Sequence, residues 1–315
     1  MPVPYMGSKR VPASKIVNLI KAYESEATEF YDVFCGGFAI SEAAIRKGYK
    51  VHASDLSAAV VALIDEVFFG KCLDPKTGVN IFENPRFISR EEFKEATQGD
   101  DWWSGYISCV WSFGNNGAGY LFGADVEKTK RAGHELVVDG KITPEILEIL
   151  PRRACEKIIE LPDWHRRRIA LVRVARTLRK RENELEQLQR LEQLQQLRQL
   201  EQLQQLQQLE QLEQLQQLEQ KSYDEVDIPP GAIIYCDPPY FGTASYVAND
   251  GAEAFDHQKF YDWCREKSKT NPVFISEYQM PEDFECIYTF DRRQTLSKSQ
   301  NKTKPEKVFY LRRQK

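Results

Sequence analysis

"AIIYCDPPYFG", residues 232–242, runs five mostly apolar residues into one carboxylate, then two prolines, then an aromatic ring. Residues 232–236 predict a short buried strand. Pro238 and Pro239 can neither donate to a ladder nor continue regular structure, so the strand stops at Asp237. Asp237 and Tyr240 are thereby displayed at a strand's C-terminal edge, where open α/β sheets bind ligands. The stiff prolines fix a carboxylate, a carbonyl and a ring around one planar object.

Outward from this strand, the first sixty residues alternate in the βαβ manner. "TEFYDVF" (28–34) reads as a strand, "CGG" (35–37) as a tight turn and "AISEAAIRKG" (39–48) as a helix ended by Gly48. "YKVHAS" (49–54) is a second strand ending at Asp55. Strand, glycine turn and helix bring backbone amides and a helix N-terminus toward a nucleotide-like ligand. An ordinary tight turn is the alternative for Gly36 and Gly37. Asp55 ends the second strand 23 residues after Asp32, the position from which a carboxylate binds ribose hydroxyls. Toward the C-terminus, "GAIIYC", "DHQKFYDWCREK", "PVFISE", "FECIYTF" and "KVFYLRR" give strand, helix, strand and a final pair of strands. Residues 63–180 differ, with Trp102, Trp103, Trp111, the loop "WSFGNNGAGYLFG" (111–123) and a basic helix. The sheet is expected to be split into segments 1–62 and 223–315, with a mostly helical lobe over 63–180 and a repeat over 181–222 inserted.

A chain of 315 residues with 42% hydrophobic content has ample core for one large or two modest domains. Seven cysteines with no C-x-x-C spacing and four scattered histidines give neither a disulfide framework nor a zinc ligand set, so no metal is expected. "MPVPYMGSKR" lacks a signal peptide's apolar stretch, and no run approaches the ~18 apolar residues of a membrane span. A cytoplasmic chain without a membrane partner is expected. The net charge is −4, but residues 181–220 carry eight Glu against three Arg, which leaves the remainder at +1. Residues 128–181 hold fifteen Lys and Arg against seven Asp and Glu. "WHRRRIALVRVARTLRKR" (164–181), with Arg166, Arg167 and Arg168, suits a phosphate backbone through counterion release, or else a solvated basic face.

Leucine stands at every third position from 185 to 218, twelve in register, with Gln, Glu or Arg between. Each triplet turns an α-helical leucine back by about 60°, so a continuous helix would wind its stripe into water. Composition nevertheless favours helix. A short-rung solenoid suits a strict period of three. The segment is expected to be a solenoid or a helix, without chemistry of its own.

Together, "YMGSK" (5–9), "DVFCGG" (32–37), "SDLS" (54–57) and "DPPY" (237–240) resemble the Dam-type DNA adenine methyltransferases, in that family's motif order. "VWSFGNNG", "DHQKFYDWC" and "FISEYQMPEDF" look like its phage and prophage branch, and the resemblance spans nearly the whole chain. It implies a Rossmann-like methyltransferase sheet divided into a cofactor-binding and a catalytic half around a target-recognition lobe. It also implies S-adenosylmethionine as methyl donor, duplex DNA as partner, and a flipped-out adenine as acceptor in a monomeric enzyme, in a restriction-modification or phage setting. Carried over, Tyr5, Lys9, Asp55 and Asp237 are cofactor residues, beside which Asp32, Phe34 and Gly36 of the glycine turn are expected; DNA contacts are expected at Asn115 and Asn116 and, from the basic stretch, at Arg166, Arg167 and Arg168. Tyr5, Ser8 and Phe38 stand where many relatives have Trp, Gly and Gly. In this picture the Asp237 carboxylate and the Pro238 carbonyl, stiffened by Pro239, accept the adenine amino hydrogens while Tyr240 stacks on the base. An RNA-base exocyclic-amine methyltransferase, or a DNA-binding protein without activity, are the alternatives.

Overall fold

The computed structural model describes residues 3–5, 9–180, 184–207, 215–241, 255–290 and 305–311. In chain order its elements begin α1 (Ala13–Tyr23), β1 (Glu29–Asp32), α2 (Ala39–Arg46), β2 (Lys50–Asp55) and α3 (Ala58–Phe69). Helices follow without interruption: α4 (Arg90–Ala96), α5 (Trp102–Val110), α6 (Ala124–Val137), α7 (Pro144–Leu147), α8 (Arg152–Ile159), α9 (Trp164–Arg179), α10 (Leu185–Gln195) and α11 (Arg198–Gln207). The chain closes with β3 (Leu215–Gln220), β4 (Ile233–Cys236), α12 (His257–Ser268), β5 (Val273–Glu277), β6 (Glu285–Phe290) and β7 (Glu306–Leu311). It divides into two compact units, Ser8–Val61 with Gln211–Lys315, and Met1–Gly7 with Ala62–Glu210.

The first unit is a seven-stranded sheet in the order β3-β2-β1-β4-β5-β7-β6. β3, β2, β1, β4 and β5 are parallel, and β7 runs antiparallel to both β5 and β6. Every residue of β4 and β5 is buried, which is why both read as near-continuous apolar runs rather than as alternating strands. Between β1 and β4 the strand order reverses direction, the place where such sheets open a ligand crevice at the strands' C-terminal ends.

The second unit is helical. Several of its helices start on local side-chain caps: Ser89 accepts from Glu92 N–H, Asp101 from Ser104 N–H and Asp163 from Arg166 N–H. Trp103, Tyr106, Trp111 and Phe122 are buried in it. Arg86 joins Asp74 and Glu92 in an ion triad, with Nε 2.9 Å from Asp74 Oδ2 and Nη1 2.6 Å from Glu92 Oε2.

The described residues of the repeat form neither a solenoid nor one continuous helix. Its first part forms α10 and α11, broken at Gln196 and Leu197, and residues 215–220 form strand β3. The break answers the period of three. Over α10 the stripe precesses, and Leu185 is 70% exposed while Leu191 and Leu194 are buried. The non-helical pair resets the phase, so Leu197, Leu200, Leu203 and Leu206 are buried as well. Lys130 holds the break: its ammonium donates to the carbonyls of Gln193 and Gln196 at 2.6 and 2.8 Å, capping the C-terminus of α10. α10 packs on α9 and α6. In β3 a register shift does the corresponding work. Leu215 pairs with Val51 and Leu218 with Ala53, so residues three apart on β3 meet residues two apart on β2.

Candidate active site

Four carboxylates end four neighbouring parallel strands: Asp55 on β2, Asp32 on β1, Asp237 just past β4 and Glu277 on β5. Glu306 begins the antiparallel β7 beside Glu277, whose partner in the ladder is Lys307. The row of acids therefore crosses five adjacent strands at one edge of the sheet.

Asp237 is held by Lys9. The ammonium lies 2.7 Å from Oδ1 and 2.6 Å from Oδ2, and 3.2 Å from Glu306 Oε1. It also stands 4.9 Å from the centroid of the Tyr240 ring. Burial opposes the charge on Lys9, yet the two carboxylates outweigh it and its pKa is raised. Burial likewise pushes the Asp237 carboxyl above the ordinary carboxylate range, while Lys9 draws it back. Tyr240 donates its hydroxyl to Glu306 Oε1 at 3.0 Å and packs edge-to-face on Tyr278, with centroids 4.7 Å apart. Glu277 accepts from the backbone N–H groups of Phe241 (2.8 Å) and Tyr278 (2.6 Å), tying the end of the proline motif to β5.

On the other side of the strand-order reversal the glycine turn takes a demanding shape. Gly36 has φ 42° and Phe38, at the N-cap of α2, has φ 65°, a left-handed conformation uncommon outside glycine. Asp55 buttresses the turn: Oδ2 accepts from Gly36 N–H at 2.8 Å and Oδ1 from Ser57 N–H at 3.0 Å. The carboxylate expected to bind ribose thus also shapes the glycine loop. The Phe34 ring stacks on Tyr223 and meets Phe260 edge-on, so any contact Phe34 makes to a cofactor falls to its backbone. Asp32 is 1% exposed; Oδ2 accepts from Ser41 Oγ at 2.6 Å, while Oδ1 is buried without a hydrogen-bond partner among the described residues. Burial lifts its carboxyl to about 7.

The remaining expected site residues fall in the helical unit. Tyr5 is half-buried there. Asn115 has φ 59° and gives its side-chain N–H to the Cys109 carbonyl at 2.5 Å; Asn116 Oδ1 accepts from Ala118 N–H at 3.0 Å. Both side chains thus shape the loop that carries Phe113, 68% exposed. Arg167 donates to the Leu161 carbonyl at 2.8 Å, and Arg168 reaches Glu201 at 2.8 Å and Gln204 at 2.9 Å. These two arginines hold the lobe together, because their positions on α9 turn inward. The outward positions are Arg166, Arg173, Arg176 and Lys180, all exposed.

Glu277 and Glu306 were missed in the sequence. "PVFISE" carries the same signature as "AIIYCD", an apolar run ended by an acid, and could have shown Glu277. Glu306 begins its strand rather than ending it and carries no comparable signal.

A mostly parallel sheet with a glycine turn and a row of acids at its carboxyl edge is the arrangement at which open α/β folds bind their ligands. Residues 5–105 match the model of the D12 class N6 adenine-specific DNA methyltransferase family. The protein is accordingly an S-adenosylmethionine-dependent, adenine-specific DNA methyltransferase. The match includes Lys9, Asp32, Gly36 and Asp55 and ends before Asp237. No curated protein matches the chain. Among the described residues no helix is long and apolar enough to cross a membrane, and no three His, Cys, Asp or Glu side chains gather as a metal site.

Proposed function

We propose that this chain methylates the exocyclic N6 amine of an adenine turned out of duplex DNA, at a specific sequence. The observation that carries this reading is the cluster of Lys9, Asp237, Tyr240 and Glu306 at the end of β4, beside the acid-lined glycine turn. The amine is a poor nucleophile because its lone pair is delocalised into the ring. The Asp237 carboxylate and the Pro238 carbonyl accept its hydrogens and favour the pyramidal form, and the Tyr240 ring stacks on the base. S-adenosylmethionine supplies the methyl group and its own leaving group. The residues at the edge fit it: the buried Asp32 Oδ1, without a partner among the described residues, suits an ammonium, the Gly36 turn offers close backbone approach, and Asp55 suits ribose hydroxyls. The same reading makes the enzyme a Dam-type monomer of phage or prophage origin, at work in the cytoplasm of a bacterial host.

Long-read sequencing of DNA from a methylation-free host expressing the chain is expected to show N6-methyladenine in one sequence context. Transfer of labelled methyl to RNA alone would sink the proposal.

Asp32 gives a pH prediction. Its carboxyl is raised to about 7 in the folded protein from an ordinary 3.8, so between these values the folded state holds a proton that the unfolded state has lost. Stability contributed by Asp32 is present below about pH 4 and declines as pH rises toward 7. A cationic group bound at Oδ1 favours the carboxylate, so cofactor binding at pH 6 is expected to release a proton. Calorimetry in buffers of different ionisation enthalpy measures this, and Asp32→Asn should suppress it. A proton count of zero in the wild type would remove Asp32 from the site.

For DNA, Arg166, Arg173 and Lys180 recur every seven residues on the exposed side of α9, with Arg176 beside them. Among the described residues no acid pairs with Arg173 or Arg176. Replacing Arg173, Arg176 and Lys180 with Ala is expected to weaken binding to all duplexes alike. The salt slope should flatten by about 0.9 for each phosphate that is no longer neutralised. An unchanged slope would return α9 to a solvated face.

A further inference from the structure

Glu306 touches both groups that serve Asp237. One of its oxygens lies 3.2 Å from the Lys9 ammonium and also accepts the Tyr240 hydroxyl at 3.0 Å, while the residue itself is 1% exposed and Lys9 is 5% exposed. Two carboxylates therefore share one buried cation. No sequence motif points to Glu306, and methyl transfer as described above does not use it.

We infer that Glu306 is a positioning residue: by drawing the Lys9 ammonium partly to itself it keeps Asp237 from being fully neutralised, and by holding the Tyr240 hydroxyl it sets the plane of the ring. The inference rests on the methyl-transfer reading. Its logic is a charge count. With all three groups ionised, Lys9, Asp237 and Glu306 sum to −1, and the surplus negative charge is what an acceptor for amino hydrogens requires. Remove Glu306, and Lys9 pairs with Asp237 alone. The pair is then neutral, the Asp237 lone pairs are committed to the ammonium, and the acceptor is weakened. The location suits this sharing, since Glu306 enters from the antiparallel β7, whose start rather than end reaches this edge.

The same count fixes a pH signature. Among the described residues, the titratable groups around Asp237 are Lys9, Glu306, Tyr240, Glu277 on β5, Asp32 on β1, and Tyr235 and Cys236 on its own strand. Glu306 is one of the negative neighbours that disfavour ionisation of Asp237. Its removal must let Asp237 ionise at lower pH, even as transfer becomes slower. A purely structural loss would slow transfer without moving the acidic limb in that direction.

The test compares wild type, Glu306→Gln and Glu306→Asp, each confirmed as folded by thermal melting. Two readouts are taken: kcat against pH with adenine-containing duplex, and the Asp237 carboxyl titration by carbon NMR. Glu306→Gln is expected to lower kcat at least tenfold and to shift both the acidic limb and the Asp237 titration to lower pH. Glu306→Asp, with its carboxylate withdrawn by one methylene, should lie between. If Glu306→Gln does not fold, Glu306→Asp carries the test. A variant with wild-type kcat, or with an unmoved Asp237 titration, overturns the inference. A wild-type chain that transfers no methyl group would instead sink the functional reading, and the NMR titration would still decide whether Lys9 is shared.

Discussion

Asp237→Ala is expected to abolish methyl transfer while leaving cofactor binding partly intact. The carboxylate matters most when the adenine amine is pyramidal, so its loss falls on the transition state more than on the ground state. Removing one preorganised hydrogen-bonding group from a transition state costs on the order of 10²–10³ in kcat. The site should tolerate the change structurally. Lys9, which would otherwise become an orphaned buried cation, retains Glu306 as a partner at 3.2 Å. Asp237→Asn should also be severely impaired, because an amide replaces one acceptor oxygen with a donor and removes the charge. Single-turnover assays with labelled cofactor and adenine-containing duplex measure the effect, with calorimetry reporting cofactor affinity separately. An alanine variant that kept a tenth of wild-type turnover would show that another group is the acceptor.

The second large effect concerns stability. Arg86→Ala should destabilise the helical unit by about 3–5 kcal/mol, the cost typical of removing one partner from a buried ion cluster. Arg86 serves two carboxylates at once. Asp74, 1% exposed, would lose its guanidinium, as would Glu92, which Nη1 and Nη2 each approach to 2.6 Å. Leaving Asp74 buried without its cation, and Glu92 with only the exposed Lys76 at 3.2 Å, is the source of the cost. Replacing all three residues by apolar side chains of similar volume should therefore be far milder than the single change. Urea unfolding of the single and triple variants measures both. A loss under about 1 kcal/mol for Arg86→Ala would mean that water, not Arg86, satisfies the two acids.

The parts of this molecule visible in its sequence are those where one short stretch decides the outcome. β4 was legible because an apolar run met a carboxylate and two prolines, and β1, α2 and β2 because a glycine turn separated two clear periods. Lys9 was reached through the resemblance of its motif, and its pairing with Asp237 belongs to tertiary structure alone. Glu306 was invisible for the same reason, since its partners Lys9 and Tyr240 come from distant segments. Arg166, Arg167 and Arg168 read as one basic cluster. A helix spreads consecutive residues around its axis, however, and only the first of them faces out. The repeat was ambiguous because a period of three fits neither 3.6 nor 2, and the chain resolves this with a helix break in one place and a strand irregularity in another.

That irregularity has a consequence for how the chain can change. An ordinary strand is spelled once, and shifting it by one residue turns its core face outward. β3 is spelled from a phrase that recurs upstream of it, so the neighbouring copy presents the same leucines to Val51 and Ala53. Gain or loss of a copy just upstream is expected to leave the same spacing of leucines at this edge, since each copy supplies the same phrase. The outer strand of a catalytic sheet is in this sense a consumable, renewed from a spool, and the spool's length is free to drift while Asp237 stays where it is.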